Sequence, residues 1–161
     1  MNRNNLVVMI LGSKSDLSWG KKITEHLKQF NIEYNIRIAS AHKSAVYALE
    51  IINSYNNSNK NIVFIAIAGR SNALGGFLDA NTHFPVINCP PPSDKYAGLD
   101  IISSFRMPSG VAPATVLEAD QVALLTAKIF ALQDNNLKEK IIIFHKNIKE
   151  NIEKDDQDLK K

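Results

Sequence analysis

The sequence predicts an α/β protein of three layers, in which a parallel sheet of about five strands lies between helices. Residues 6–11 and residues 62–67 form two continuous apolar runs. Such runs are typical of strands buried on both faces, as in a parallel sheet that helices cover. Strand and helix patterns also alternate along the chain, which indicates repeated strand-helix-strand units.

Composition fits one ordinary globular domain that spans residues 1–161. The 161 residues are 45% hydrophobic and 22% charged, with a net charge of +3. A chain of this size buries a full core without disulfides or metals. We expect the core to span about residues 6–132, a C-terminal helix about residues 136–153, and a disordered charged tail residues 154–161.

Several classes of partner and compartment are disfavoured. No block of Lys and Arg lies beside aromatic residues, so we expect no nucleic-acid partner. The single cysteine, Cys89, excludes an internal disulfide, fits a reducing compartment and has no neighbour at metal-ligand spacing. The apolar run near the start is too short for a membrane span. We therefore expect a cytoplasmic protein with no membrane contact and no bound metal.

The first half of the chain supplies three strands. After the strand at residues 6–11 and a polar turn, Ile23, Leu27 and Phe30 recur at helical spacing, and Asp16 is available as the N-cap of that helix. A second strand at residues 34–38 precedes a helix whose Val46, Leu49 and Ile52 would share one buried face; polar residues 56–61 end it. The third strand leaves through a loop that we place at residues 68–76.

The second half supplies two shorter strands and two helices. Residues 85–88 predict a fourth strand, prolines 90–92 an extended segment, and residues 94–104 a loop leading into a short helix. A fifth strand is expected at residues 114–117. The helix at residues 119–132 is apolar nearly all round, which favours a position between neighbours that include another subunit. The last helix would cover that partner or a neighbouring sheet.

Polar loops follow the first three strands, and the carboxyl ends of parallel strands meet at one edge of a sheet. The second of these loops carries Ser40-Ala41-His42-Lys43. An imidazole takes and gives protons near neutrality, so His42 is a candidate acid and base. Lys43 supplies a cation for an anionic substrate. The alternative is that His42 caps a turn or packs.

The first loop, Gly12-Ser13-Lys14-Ser15-Asp16, leads directly into a helix. Backbone N–H groups and the positive end of the helix dipole favour a phosphate there, and the two serine hydroxyls can donate to it. Asp16 is better suited to accept hydrogen bonds from ribose hydroxyls. By itself this pattern is more often an N-cap than a ligand site.

Three motifs in order, Gly12-Ser-Lys-Ser-Asp16, Ser40-Ala-His-Lys43 and Ala68-Gly-Arg-Ser-Asn-Ala-Leu-Gly75, resemble those of the PurE family of purine biosynthesis. The resemblance runs from about residue 6 to residue 132. It implies a flavodoxin-like or Rossmann-like fold, no cofactor, and assembly as homotetramers or homo-octamers with shared sites. The family has a mutase class, which acts on N5-carboxyaminoimidazole ribonucleotide, and a carboxylase class.

This chain is more similar to the carboxylase class. The mutases typically carry arginine after the histidine and a Gly-Gly-Ala-Ala-His-Leu segment in the third loop, where this chain has Lys43 and Arg70-Ser71-Asn72. The segments Asn88-Cys-Pro-Pro91 and Arg106-Met-Pro-Ser-Gly110 are also similar to the carboxylases. The implied reaction is the reversible addition of CO2 to 5-aminoimidazole ribonucleotide (AIR), giving 4-carboxy-5-aminoimidazole ribonucleotide (CAIR), without ATP or biotin.

The resemblance also implies roles for individual residues. His42 would remove the proton from C4 of the ring and return it in the reverse direction. The loop from Arg70 to Leu74 would hold CO2 or the new carboxylate. The substrate-binding residues expected in all are Gly12, Ser13, Ser15, Asp16, Ser40, Ala41, Lys43, Gly69, Arg70, Ser71, Asn72 and Leu74.

Two alternatives stay open at this point. One is the mutase on the same fold, against which the third loop argues. The other is a non-catalytic flavodoxin-like domain that binds nucleotides or transmits a signal, which has the same coarse order of strands and helices. It explains the fold but gives no reason for His42 or for the Arg-Ser-Asn loop.

Overall fold

A five-stranded parallel sheet forms the centre of the computed structural model, which describes residues 4–160. The spatial order is β2-β1-β3-β4-β5, and every neighbouring pair is parallel. This confirms the predicted fold class. The strands are β1 (Asn5–Leu11), β2 (Glu33–Ile38), β3 (Asn61–Ile67), β4 (Val86–Asn88) and β5 (Ala114–Thr115).

Helices connect these strands and cover both faces of the sheet. The α-helices are α1 (Leu17–Gln29), α2 (Ala45–Asn56), α3 (Ala73–Asp79), α4 (Ala119–Ala131) and α5 (Asn135–Leu159). Two stretches have 3-10 geometry, Lys14–Asp16 and Lys95–Ser104. The second includes three successive residues in the left-handed region, at positions 96–98.

The alternation of side chains along β1 divides the core into two parts. Val7, Met9 and Leu11 pack in one cluster with buried residues of α1, α4 and α5. Leu6, Val8 and Ile10 pack in the other with α2 and α3. Successive side chains of a strand point to opposite faces, so a strand that is apolar throughout requires helices on both sides. The result is the predicted three-layer arrangement.

The buried face of α2 differs from the prediction. Val46 and Leu49 are exposed, Val46 by 74%, whereas Ala48 and Ile51 are buried beside Ile52. The segment is apolar at positions 45, 46, 48, 49, 51 and 52, so two overlapping faces satisfy the helical period. In the folded chain, the face that carries Ala48 and Ile51 packs in the same core as the strands.

The C-terminal region also differs from the prediction, because α5 continues to Leu159. Residues 154–159 are therefore helical; Lys161 lies outside the described residues. No proline or glycine interrupts the segment, and Lys160 pairs with Asp156 four residues before it. Near its start α5 packs on its own chain, with Leu137 and Ile141 buried and the Phe144 and Phe30 rings 5.5 Å apart.

Two further boundaries and one helix cap are corrected. The loop after β3 ends at Asn72 rather than at residue 76, because α3 begins at Ala73. Strand β5 ends at Thr115. Asp16 occupies the N-cap position of α1, but its side chain makes no capping hydrogen bond to that helix. Its carboxylate instead accepts from the backbone N–H of Ser13.

The strand order creates a crevice between β1 and β3. From β1 the chain crosses to β2 on one side and then returns to β3 on the other side. The loops that leave β1 and β3 therefore diverge at the carboxyl edge of the sheet. Ligands of open α/β sheets bind in the crevice at such a switch point.

Candidate active site

A cleft of about 560 Å³ opens at this carboxyl edge. The loops that follow β1, β2, β3 and β4 all contribute to it. The lining residues are Gly12, Ser13, Ser15, Asp16, Ser40, His42, Lys43, Ala68, Gly69, Arg70, Ser71, Pro91, Pro92, Ser93, Asp94 and Lys95.

Hydrogen bonds that continue the sheet hold the starts of these loops together. The backbone N–H of Gly12 donates to the Ile67 carbonyl, and that of Ala39 donates to the Leu11 carbonyl, both at 2.9 Å. A Cβ at position 12 would lie 3.2 Å from the Ala68 Cβ. Because few Cβ contacts are so close, glycine lets the first and third loops meet.

The first loop is fixed by its own polar side chains. The Asp16 carboxylate accepts from the Ser13 N–H at 3.0 Å and from the Ser13 hydroxyl at 3.2 Å. The hydroxyls of Ser13 and Ser15 also share a hydrogen bond. The 3-10 turn at Lys14–Asp16 runs directly into α1, so the positive end of this helix faces the cleft. The arrangement suits an anionic group.

The second loop presents His42 on a tight turn. The Ser40 hydroxyl accepts from the Lys43 N–H at 3.2 Å, and the Ser44 N–H donates to the Ser40 carbonyl at 2.9 Å. The Ser44 hydroxyl in turn accepts from the Ser40 N–H at 3.0 Å. These bonds fix the turn from both ends. Of the four histidines, all within residues 4–160, only His42 lines the cleft.

Three of the residues predicted to bind substrate do not line the cleft. Leu74 is 2% exposed and packs in the core between α2 and α3. Ala41 contacts the same core. Asn72 is also 2% exposed, and its amide donates to the Asn88 side chain at 3.2 Å and to the Ser104 hydroxyl at 3.0 Å. The structure thus places these three residues in the packing around the loops, and their contact with substrate stays a prediction.

The structure adds residues of the fourth loop that the sequence-based prediction missed. The cleft is also lined by Pro91, Pro92, Ser93, Asp94 and Lys95. The sequence contained a signal for these residues, because they follow a predicted parallel strand and their loop must leave the sheet at the same edge as the other loops. The three prolines hold this segment extended, which carries it across the edge of the sheet.

Positive side chains outnumber negative ones around the cleft. Lys43, Arg70 and Lys95 carry positive charge, and Asp16 and Asp94 carry negative charge. One of the two carboxylates, that of Asp16, already accepts two hydrogen bonds. The balance favours a ligand with net negative charge, such as a phosphate ester.

Residues 4–160 contain no group of three or more His, Cys, Asp or Glu side chains placed to hold a metal ion. Among the same residues, no helix combines the length and apolar character needed to cross a membrane.

Fold and site together define a flavodoxin-like α/β protein with a cleft at the switch point that an imidazole lines. The family model described as AIR carboxylase matches residues 6–151. The chain belongs to the AIR carboxylase family, which confirms the resemblance found in its three motifs.

Relatives match nearly the whole chain. It is 54% identical over 153 residues to phosphoribosylaminoimidazole carboxylase of Archaeoglobus fulgidus, covering 95% of this chain and 84% of that one. It is 46% identical over 156 residues to the protein of the same name from Treponema denticola, covering 97% and 98%. The crystal structure of Treponema denticola PurE superimposes with a TM-score of 0.96 at 45% identity, covering 98% of this chain and all of that one.

Proposed function

We propose that this chain catalyses the reversible carboxylation of AIR by CO2 to give CAIR in purine biosynthesis, without ATP, biotin or a metal. The observation that carries the proposal is the convergence of three motifs on one cleft with His42 at its edge. The relatives named phosphoribosylaminoimidazole carboxylase support it.

In this proposal the ribonucleotide binds across the first two loops. The Ser13 and Ser15 hydroxyls, the amino end of α1 and the Lys43 ammonium group surround a space suited to the phosphate. A hydroxyl that accepts one hydrogen bond can still donate another. Ser40 therefore remains able to donate to the substrate while it accepts from the Lys43 N–H. Gly12 and Asp16 complete this side, with Asp16 towards the ribose.

The third and fourth loops face the base and hold the one-carbon group. Gly69, Arg70 and Ser71 line the same cleft as the ribonucleotide loops. The Arg70 guanidinium group and the Ser71 hydroxyl are suitable partners for the carboxylate as it forms. Holding CO2 beside the ring replaces a bimolecular encounter by a positioned one, which is a large part of the rate gain in such reactions.

His42 supplies the proton chemistry. AIR is an enamine, so its C4 carbon attacks the carbon of CO2 and a new C–C bond forms while one C=O π bond becomes a carboxylate. The adduct still carries the C4 proton, which His42 removes to restore the aromatic ring. In the reverse direction the same imidazolium returns the proton to C4, and CO2 leaves. One group that is stable in both protonation states serves both directions.

A spectroscopic assay of the purified protein tests the proposal. AIR with bicarbonate and CO2 is compared with N5-carboxyaminoimidazole ribonucleotide as substrate, for the wild type, His42→Ala and His83→Ala. His83 lies outside the cleft and stacks on Phe84, with ring centroids 4.1 Å apart, which makes it a matched histidine control. We expect carboxylation of AIR to fall by at least ~100-fold in His42→Ala and by less than twofold in His83→Ala.

Other outcomes are equally informative. Turnover of only N5-carboxyaminoimidazole ribonucleotide would make the chain a mutase and show that Lys43 and the Arg70-Ser71-Asn72 segment do not mark the carboxylase class. Full activity of His42→Ala with AIR would exclude His42 as the acid and base.

We further propose that the chain acts as a homo-oligomer in the cytoplasm. Apolar side chains of Tyr96, Leu99, Ile102 and Phe105 are exposed on the segment that follows the fourth cleft loop. Burying them against another copy would remove this apolar surface from water and enclose the cleft. Light scattering should give a mass that is four or eight times 17.9 kDa; a monomer would contradict this. The buried free thiol of Cys89 is in keeping with a reducing compartment.

A further inference from the structure

The loop that carries Gly69, Arg70 and Ser71 has an unfavourable backbone conformation. Arg70 has a φ angle of 59°, in the left-handed region. A residue with a Cβ is disfavoured there, because the Cβ approaches the following carbonyl oxygen. Nothing in Arg70 itself offsets this cost, so the conformation depends on contacts from elsewhere in the fold.

Those contacts come from the 3-10 segment Lys95–Ser104. The Asp100 carboxylate accepts from the Arg70 backbone N–H at 3.1 Å. The Ser103 hydroxyl accepts from the Asn72 N–H at 3.0 Å, and its single proton is shared between the carbonyls of Arg70, at 2.9 Å, and Asp100, at 2.8 Å. The backbone N–H and carbonyl groups of Arg70 are thus each contacted by a side chain that lies about thirty positions away in sequence.

We propose that Asp100 and Ser103 are positioning residues, which hold the Gly69–Ser71 loop in the conformation that receives CO2 and the new carboxylate. Neither residue lines the cleft itself; both line the adjoining cavity of about 220 Å³ behind the loop. They act through the backbone of Arg70 and Asn72. This inference rests on the proposed function, since it assigns the loop to the one-carbon group.

The proposal predicts a particular kinetic pattern. The loop faces the one-carbon group, whereas the ribonucleotide is bound by the other loops. Loss of the Asp100 contact should therefore lower kcat by about 10- to 100-fold, the range expected when a reacting group is misplaced by about 1 Å. The KM for AIR should change by less than about twofold, while the KM for CO2 should rise.

Asp79 provides a matched control. Its carboxylate accepts from the Ala112 backbone N–H at 2.8 Å, which is the same kind of loop contact, but it lies outside the cleft. Asp79→Ala should leave kcat and both KM values within about twofold of the wild type. Asp100→Asn keeps a carbonyl oxygen that can accept from Arg70 and should recover most of the activity that Asp100→Ala loses.

Amide hydrogen exchange at single-residue resolution supplies a test that does not depend on activity. Asp100→Ala should speed exchange at the Arg70 amide, and Ser103→Ala should speed it at the Asn72 amide, whereas Asp79→Ala should affect neither. If the wild type fails to carboxylate AIR, the proposed function is wrong, but the exchange rates still test whether Asp100 and Ser103 hold the backbone of the loop.

The proposal is overturned if Asp100→Ala has the kinetics of the wild type, whether or not exchange at Arg70 changes. It is also overturned if exchange at Arg70 is unchanged, or if the KM for AIR rises as much as kcat falls. A failure of Asp100→Asn to recover activity when Asp100→Ala folds would equally contradict it.

Discussion

Replacing Gly75 by alanine should disrupt the buried amide network around Asn88, next to the loops that line the cleft. Gly75 lies in α3 and packs directly against Asn88 of β4. A Cβ at position 75 would lie 1.6 Å from the Asn88 Oδ1 atom and 2.6 Å from its Cγ atom. Asn88 is fully buried, so its side chain must move for the variant to fold.

The cost follows from what Asn88 would lose by moving. Its Oδ1 accepts from Asn72, and its Nδ2 donates to the Ser104 carbonyl at 3.2 Å and to the Thr115 hydroxyl at 3.4 Å. Overpacking a core costs about 1–3 kcal/mol, and leaving buried polar groups unpaired costs about 1–3 kcal/mol more. The gain from replacing a helical glycine is only about 0.5–1 kcal/mol. We expect a net loss of about 3 kcal/mol in the free energy of unfolding.

Urea denaturation at fixed protein concentration measures this loss, with Gly20→Ala as the control. Gly20 is also a buried helical glycine, but a Cβ there would meet only ordinary contacts, the nearest at 3.6 Å from Ile67. Gly20→Ala should be neutral or stabilising by up to about 1 kcal/mol.

A double-mutant cycle with Asn88→Ala tests the cause. Removing the Asn88 amide makes room for the new methyl group, so Gly75→Ala should cost much less in that background. Equal costs in the two backgrounds, or a Gly75→Ala variant as stable as the wild type, would refute the reasoning.

Two further predictions concern the core. Burial raises the pKa of the Cys89 thiol to about 12, from an ordinary value of 9.0. The folded protein should therefore react with a thiol reagent at pH 8 only through unfolding. Its stability should fall as the pH rises from about 9 towards 12, because the thiol of the unfolded chain ionises first. A rate of thiol labelling that does not increase when urea is added would contradict this prediction. On α2, Ile51→Ala should cost about 2–5 kcal/mol of unfolding free energy and Val46→Ala less than about 0.5 kcal/mol, as measured by urea denaturation, because Ile51 is buried and Val46 is exposed. The reverse order would support the Val46 and Leu49 face that the sequence predicted.

Local sequence patterns were sufficient to predict the sheet and the edge at which the cleft lies. The strands β1 and β3 are apolar at nearly every position, and such runs have one stable environment, a parallel sheet covered on both faces. Once the strands are parallel, the loops after them must share an edge. His42 and Lys43 could therefore be placed beside Gly12 and Ser13 without coordinates.

Sequence patterns that fit two different structures equally well did not predict which structure forms. In α2, two overlapping apolar stripes fit the helical period, and only the position of the sheet decides that Ala48 and Ile51 are buried rather than Val46 and Leu49. In α5, the charged composition predicted disorder, but a helix already anchored by Leu137 and Ile141 propagates as long as no residue breaks it.

The sequence by itself determined the fold class, the edge at which the site lies and the residues that could move a proton there, because these follow from periodicity and from side-chain chemistry. Only the tertiary structure decided which polar residues face the cleft and which support it. Asn72 could not be distinguished from Ser71 by type, yet it is buried through its contacts with Asn88 and Ser104. Asp100 likewise accepts a hydrogen bond from the Arg70 N–H, thirty positions away in sequence. Such contacts join distant segments, and their geometry exists only when the whole chain is folded.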